Sequence, residues 1–417
     1  MEEEVGKRME ILVIGNGFDL AHNLPTTYAD FLEFIRVIKD LLYGESLESV
    51  NWGKLNQKIK YEIGKHVRNS SGSIFENKVY SLNLINNNIW VEYFSQTFIN
   101  ETWIDFESAI ATIIKSLDVD MYDKRNERRE PLKAEMQNLS NEFLEQCYKE
   151  GTFLVDVEDK RITFEEIRNI LLKDLNNLIY ALEIYLSEYV NKIKVTVESP
   201  DIKGMNPDKI LSFNYTDTYE RVYSQKNNIE FDFIHGKADI YNNVDINNLV
   251  LGIDEYLPED RRNHEVDLIA FKKFYQRIHK RTGCLYKDWV SEIHGEYVDY
   301  LYKVRNALHE VTDYIDNGIS LSFKINDALK LLNGKTETHN VYIFGHSLDI
   351  TDKDILRDLI LNNNVQTTIF YHNKDVYGQQ IANLVKVIGQ DELIRRTGGP
   401  DKTITFRQQQ RPMENKT

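Results

Sequence analysis

Six short strings hold most of the residue types that do chemistry in this chain: Gly15-Asn-Gly-Phe-Asp19, Asn214-Tyr-Thr-Asp217, His235-Gly236, Gly252-Ile-Asp254, Gly345-His-Ser-Leu-Asp349 and His372-Asn373. Each follows a short apolar run. Glycine lets backbone come close to a ligand, and Asn, His, Ser and Asp orient groups or exchange protons. Asn214 and His235 in one crevice would place a hydroxyl or a water and accept its proton. Taken singly, His235 reads as a satisfied structural histidine, and Asn214 as an Asx-turn or cap before the helical stretch to Tyr223. Gly15-Asn16-Gly17 follows Ile11-Leu-Val-Ile14 and leads through Phe18, Asp19 and Leu24-Pro25-Thr26-Thr27 to a helix opened by a Thr27/Asp30 capping box. Strand, glycine turn and helix start suit a phosphate, and equally an ordinary βα turn. Gly345-His346-Ser347 is a second candidate anion cradle or a plain loop, with His346 as a hydrogen-bonded wall. Asp19 and Asp349 are candidates for ribose hydroxyls or for capping amides.

Two further strings carry charge. In Trp103-Ile-Asp-Phe-Glu107, helical spacing puts Glu107 on one face with Trp103, Ile110, Ile114 and Leu117. A carboxylate on an apolar stripe has a raised pKa or a cationic partner, and a structural ion pair is the simpler reading. Phe271-Lys-Lys-Phe-Tyr-Gln-Arg277 offers Lys272, Lys273 and Arg277 to phosphates, although a solvated helix face is the simpler expectation there.

The elements around these strings alternate in type. Strand character marks Ile11–Ile14, Lys209–Phe213, Ile229–Ile234, Leu249–Leu251, Val341–Phe344 and Thr367–Tyr371. Residues 51–200 read as helical, most clearly from Thr163 to Ile193, where Thr163 and Glu166 form a capping box and Leu171, Leu175, Leu178 and Leu182 share a stripe. A second helical block, spaced as a bundle, covers 258–335. Asp118–Pro131 is a charged helix face or loop. The pattern predicts an α/β chain: a Rossmann-like parallel sheet built from 1–50, 201–257 and 336–406, two large α-helical insertions at 51–200 and 258–335, and a frayed tail at 407–417. In such sheets ligands sit beyond the carboxyl ends of the strands, where all six strings fall.

Hydrophobic residues make up 41% of the chain, enough for a substantial core, and 24 Tyr with 19 Phe make that core aromatic. A net charge of −15 without a basic run argues against general nucleic-acid binding and against an anionic membrane surface. The two cysteines, Cys147 and Cys284, are too far apart for a zinc module or a disulfide framework, so no metal is expected. The acidic start and the brevity of the apolar run after it predict a cytoplasmic protein with no membrane segment.

The strings VIGNGFDLAHNLPTTYADFLEF, WIDFE, LSFNYTDTYERVY, FIHG, LGID, FKKFYQRI and IFGHSLDITDKDIL together resemble the AbiH family of bacterial abortive-infection, phage-defence proteins. A more distant resemblance, to sirtuin-like NAD-binding domains, rests on Gly15 to Pro25, Asn214, His235-Gly236 and Gly345 to Leu348. It implies a sirtuin-type sheet with NAD as ligand or substrate. Gly15 and Gly17 would then lie on the phosphates, with Asn16, Phe18, Asp19, Pro25 and Thr26 around the cofactor. Asn214 and His235 would act at the nicotinamide ribose, Gly345, Ser347 and Asn373 would fall on the adenosine side, and His346 and Asp349 would also contact the cofactor. The chain departs from the deacylating sirtuins in lacking a four-cysteine zinc module, and Phe18-Asp19 replaces smaller residues. The resemblances together imply a phage-defence effector that hydrolyses NAD. They also admit a nucleotide-binding sensor or assembly module without turnover, and ADP-ribosyl transfer or cleavage of another nucleotide. A phage-derived trigger and a homo-oligomer are the partners they imply beside the small-molecule nucleotide.

Overall fold

The computed structural model describes residues 8–69, 85–97, 104–126, 164–223, 228–316, 338–400 and 402–414. Trp103, Cys147, Thr163 and residues 127–131 of the charged stretch lie outside the described residues.

Eight strands are described: β1 (Glu10–Ile14), β2 (Val197–Glu198), β3 (Lys209–Ser212), β4 (Glu230–Phe233), β5 (His339–Phe344), β6 (Val365–Tyr371), β7 (Ile404–Gln408) and β8 (Met413–Glu414). Six of them form one parallel sheet in the order β4-β3-β1-β5-β6-β7. Counting only these six, the order is 3-2-1-4-5-6, the arrangement of doubly wound dinucleotide-binding sheets. β1 lies at its centre because Ile11, Leu12, Val13 and Ile14 are all buried, as a strand covered on both faces requires.

Fourteen helices are described. They are α1 (Asn16–Ala21), α2 (Tyr28–Leu42), α3 (Gln57–Asn69), α4 (Ile89–Thr97), α5 (Phe106–Asn126), α6 (Phe164–Ile184), α7 (Pro200–Lys203), α8 (Thr218–Tyr223), α9 (Glu259–Arg262), α10 (Lys273–Lys280), α11 (Tyr286–Asp316), α12 (Lys353–Ile360), α13 (Lys374–Ile388) and α14 (Gln390–Thr397). The Thr27/Asp30 capping box opens α2, both of its hydrogen bonds being present. The leucine stripe of α6 is buried in a helical core with Phe31, Phe34, Trp90 and Phe94. Its last turn widens into a π-helix at Tyr185–Tyr189.

Three expectations are corrected. Leu249–Leu251 is buried but forms no strand: its amides donate to Asn247 Oδ1, the His235 carbonyl and Gln276 Oε1 instead of to a ladder. The sixth strand is β7, which includes Arg407 and Gln408 of the expected frayed tail. As an edge strand it needs only Ile404 and Phe406 to pack, so the rest of its sequence is polar. β8 then pairs antiparallel with β2, and Gln410 donates to both oxygens of Asp201. The block from 258 is not packed as a bundle among the described residues. Only the first turns of α11 are buried, through Tyr286, Trp289 and Ile293, while Val298, Leu301, Tyr302 and Leu308 are exposed.

The reversal of strand order falls between β1 and β5, and there two loops pack backbone to backbone. The Gly15 and Gly17 amides donate to the carbonyls of Phe344 and Gly345 at 3.1 and 2.8 Å. Gly345 has φ +69°, and a Cβ there would overlap the Phe18 nitrogen. Gly345→Ala is therefore expected to cost about 2–3 kcal/mol or more, from left-handed backbone plus a clash with main chain, read as a fall in the urea midpoint.

Candidate functional site

The residues after β1 serve mainly to join the loops. Beyond the Gly15 and Gly17 amides, the Phe18 amide donates to the Gly15 carbonyl at 2.8 Å, so the amide of the N-cap and two of the first amides of α1 are used within the chain. Phe18 is fully buried among His22, Tyr219, Tyr223 and Phe344. Asn16 Oδ1 accepts from the Thr26 hydroxyl at 2.7 Å, and the Pro25 carbonyl accepts from Tyr185 of the π-helix at 2.7 Å. Asp19 is buried and takes the Thr216 hydroxyl at 2.6 Å, which ties the β1 loop to the β3 loop. Burial pushes its carboxyl up to about 6 against the hydrogen bonds from Thr216 and Thr218.

On the far side of the switch point, Asp349 caps the short turn before α12 by accepting from the Thr351 amide. Asn373 is exposed and caps α13, accepting from the Val376 amide. Ser347 is exposed, and its carbonyl accepts from Asn383. His346 turns inward, its Nδ1 accepting from the Leu348 amide at 2.9 Å.

A second group forms where the strand ends meet both helical blocks. Phe213 stands edge-on to two histidines, His235 and His346, at ring distances of 5.7 and 4.3 Å. Both point at one carboxylate: His235 Nε2 lies 3.7 Å from Asp352 Oδ1, and His346 Nε2 lies 3.5 Å from Asp352 Oδ2. Lys273 Nζ reaches the same Asp352 at 3.5 Å and Glu107 Oε2 at 2.6 Å. Tyr28 hydrogen-bonds Tyr215, whose hydroxyl donates to the Val250 carbonyl at 2.8 Å beside this group. Each charge is placed by its element. Glu107 is in the first turn of α5, and the neighbouring Phe106 stacks on Tyr28 and on Phe94. Lys273 opens α10, its amide held by the Ile253 carbonyl. Asp352 occupies the N-cap position of α12 yet makes no cap hydrogen bond, because its side chain turns to the lysine and the histidines.

Burial sets the electrostatics. It opposes the charge on Asp352, but Lys273, the His346 hydrogen bond and His235 outweigh it and hold that carboxyl well below the usual range. Burial likewise disfavours the Lys273 cation, and Asp352 with Glu107 holds it far above its usual value. Glu107 is pushed up to about 7 by burial, against the pull of Lys273. His235 is pushed down to about 3, by burial first and then by Lys273, so its ring is neutral.

The sequence expectation of a solvated face at Phe271–Arg277 is overturned. Lys272 is 1% exposed and holds both oxygens of Glu255 at 2.8 and 2.9 Å, and Lys273 is 3% exposed. The apolar-to-polar spacing hid this, because both lysines face carboxylates supplied by distant segments. Arg277 is half-buried, and its guanidinium makes no hydrogen bond or ion pair among the described residues. The ion pair expected at Glu107 is present. The sequence reading missed Asp352 altogether, since Asp ahead of a helix reads as a cap. Asn214 and His235 follow adjacent strands, and two of their atoms, Asn214 Nδ2 and His235 Nε2, are buried without a hydrogen-bond partner among the described residues. No Asx-turn or cap bond forms at the Asn214 side chain among the described residues.

The model of the family described as Bacteriophage abortive infection AbiH matches residues 11–372. This chain belongs to the AbiH family. Neither a curated protein nor a solved structure matches it. Family membership makes the chain a phage abortive-infection protein, and the matched span runs from β1 past β6, covering every charged residue of the group around Asp352. Among the described residues of this AbiH chain, no helix is long and apolar enough to cross a membrane, and no three His, Cys, Asp or Glu side chains are grouped to hold a metal ion.

Two outcomes test the electrostatics. Lys273→Met strands two buried carboxyls without their cation and is expected to cost about 3–5 kcal/mol in urea unfolding, part of it recovered by adding Glu107→Gln. Asp19, with its folded pKa raised to about 6, binds its proton more tightly folded than unfolded. Its contribution to stability is therefore complete below about pH 4 and lost as pH rises through 6. Asp19→Asn should remove up to about 2–3 kcal/mol of that slope in pH-dependent melts.

Proposed function

We propose that this AbiH chain is an abortive-infection effector that binds NAD at the carboxyl edge of its sheet and breaks the glycosidic bond to nicotinamide. The observation that carries this reading is the pair of orphaned buried atoms, Asn214 Nδ2 and His235 Nε2, on consecutive strand ends of a sheet with dinucleotide-fold strand order. Buried polar atoms are costly unless paired, and a ribose hydroxyl or an attacking water would pair both. Asn214 orients the ribose, and neutral His235 accepts a hydrogen bond from a hydroxyl or water. The aromatic walls of Phe213 and Tyr215 keep bulk water out. The glycine amides after β1 are engaged within the chain, so this reading moves the negative phosphates toward Arg277, whose charge reaches His235. Nicotinamide, once bound as part of NAD, is a good leaving group and asks for little acid assistance.

The test is nicotinamide release from NAD by the purified chain, beside Asn214→Ala and His235→Ala. The expected outcome is release by the wild type and a loss of about a hundredfold or more in each variant, with NAD still bound in calorimetry. NAD bound without release by the wild type would instead mark a nucleotide sensor.

A further inference from the structure

The group around Asp352 contains one ammonium and two carboxylates, and the two carboxylates are not equivalent. Asp352 faces Lys273 and also both histidines, at 3.5, 3.7 and 3.5 Å. Three groups able to favour its charge surround it. Glu107 has Lys273 alone, at 2.6 Å, and shares it with Asp352. The other charged or titratable groups that face Glu107 are Asp105 on its own segment, Tyr28 of α2 and Tyr215 after β3, none of which is a cation. Glu107 is also the member nearest solvent: its side chain is 15% exposed, against 3% for Lys273 and 11% for Asp352. Phe106, stacked at 4.2 and 4.1 Å between Tyr28 and Phe94, fixes the first turn of α5 and so the direction of Glu107.

We infer that Glu107 is the catalytic acid–base residue of this site, and that Lys273 and Asp352 are positioning residues that hold its carboxylate toward the reacting water. This rests on the glycosidic-bond reading above. Glu107 takes a proton from the water as the water oxygen bonds to the anomeric carbon. The electron pair of the breaking carbon–nitrogen bond goes to the nicotinamide nitrogen, which leaves neutral. Glu107 then returns the proton to solvent. Its carboxyl, pushed to about 7 by burial, gains and loses a proton at neutral pH, whereas His235, pushed to about 3, stays neutral and serves to orient. The carboxylate comes from the helical block before β2 and the ammonium from the block before β5, so the pair exists only when both blocks are docked on the sheet.

The experiment is nicotinamide release from NAD between pH 5.5 and 9 for the wild type, Glu107→Gln, Glu107→Ala and Asn214→Ala, with thermal melts of each. The wild-type rate should climb about tenfold per pH unit below about 7 and level off above it, as one carboxyl ionises. Glu107→Gln should melt no lower than wild type, run about a hundredfold slower or worse and show no such climb. Added formate should restore part of the rate to Glu107→Ala and none to Asn214→Ala. If Glu107→Gln keeps the rate and the profile while Asn214→Ala is dead, Glu107 is only an ion-pair partner and the glycosidic reading stands. A slow Glu107→Gln that keeps the wild-type pH profile, with no formate rescue, overturns the acid–base role in the same way. No release by the wild type overturns both.

Discussion

A buried ammonium that answers two carboxylates from opposite ends of the chain is the constraint on which the rest of this structure depends. Lys273 is almost fully enclosed, and a lone cation in that position would be prohibitively costly. Glu107 and Asp352 offset that cost, and to do so three segments must arrive together: the start of α5, the start of α10 and the turn before α12. Displacing any one of the three would leave a buried charge without its counter-charge. An ion pair of this kind is a weak source of net stability, since replacing it with apolar side chains is often neutral or better. What it supplies is specificity: it ties two helical blocks to one sheet edge.

The sheet supplies the fixed frame. Its order reverses between β1 and β5, and in doubly wound folds that reversal leaves a crevice for ligands. Here the crevice floor is closed by glycine backbone packed on glycine backbone, so its amides face protein. The buried polar side chains stand to one side, at the ends of β3 and β4 and in the loop after β5, where His235 and His346 face Asp352 and Asn214 follows the strand next to that of His235. The stretch matched by the AbiH family model, residues 11–372, includes every charged residue of this group.

Uncompensated polar burial marks the same edge. Asn214 Nδ2 and His235 Nε2 have no hydrogen-bond partner among the described residues, whereas the neighbouring Tyr215 and Ser212 hydroxyls bond to backbone. A buried polar atom left without a hydrogen bond keeps a local cost in place. Binding a polar ligand is the event that would offset it.

Much of the frame was legible in the residues alone. Ile11–Ile14 is an unbroken apolar run, three of its four residues β-branched, and reads as a buried strand; Thr27 with Asp30 reads as the opening of a helix; and the strand ends carry the polar residues of both loops. The stripe of α6 is likewise local, because every third or fourth residue answers to one helix face. Edge strand β7 was not legible, since an edge needs few apolar residues and its sequence resembles a tail. Nor was the role of Phe271–Arg277 legible: a lysine next to an aromatic residue looks solvated until the carboxylates that bury it are known. Glu107, Lys273 and Asp352 lie 166 and 79 residues apart along the chain. Residue type and spacing determine which segments are helix and strand, because those interactions are local. Which charges meet is decided only when the whole sheet has closed, because burial and Coulomb partners depend on distance in space.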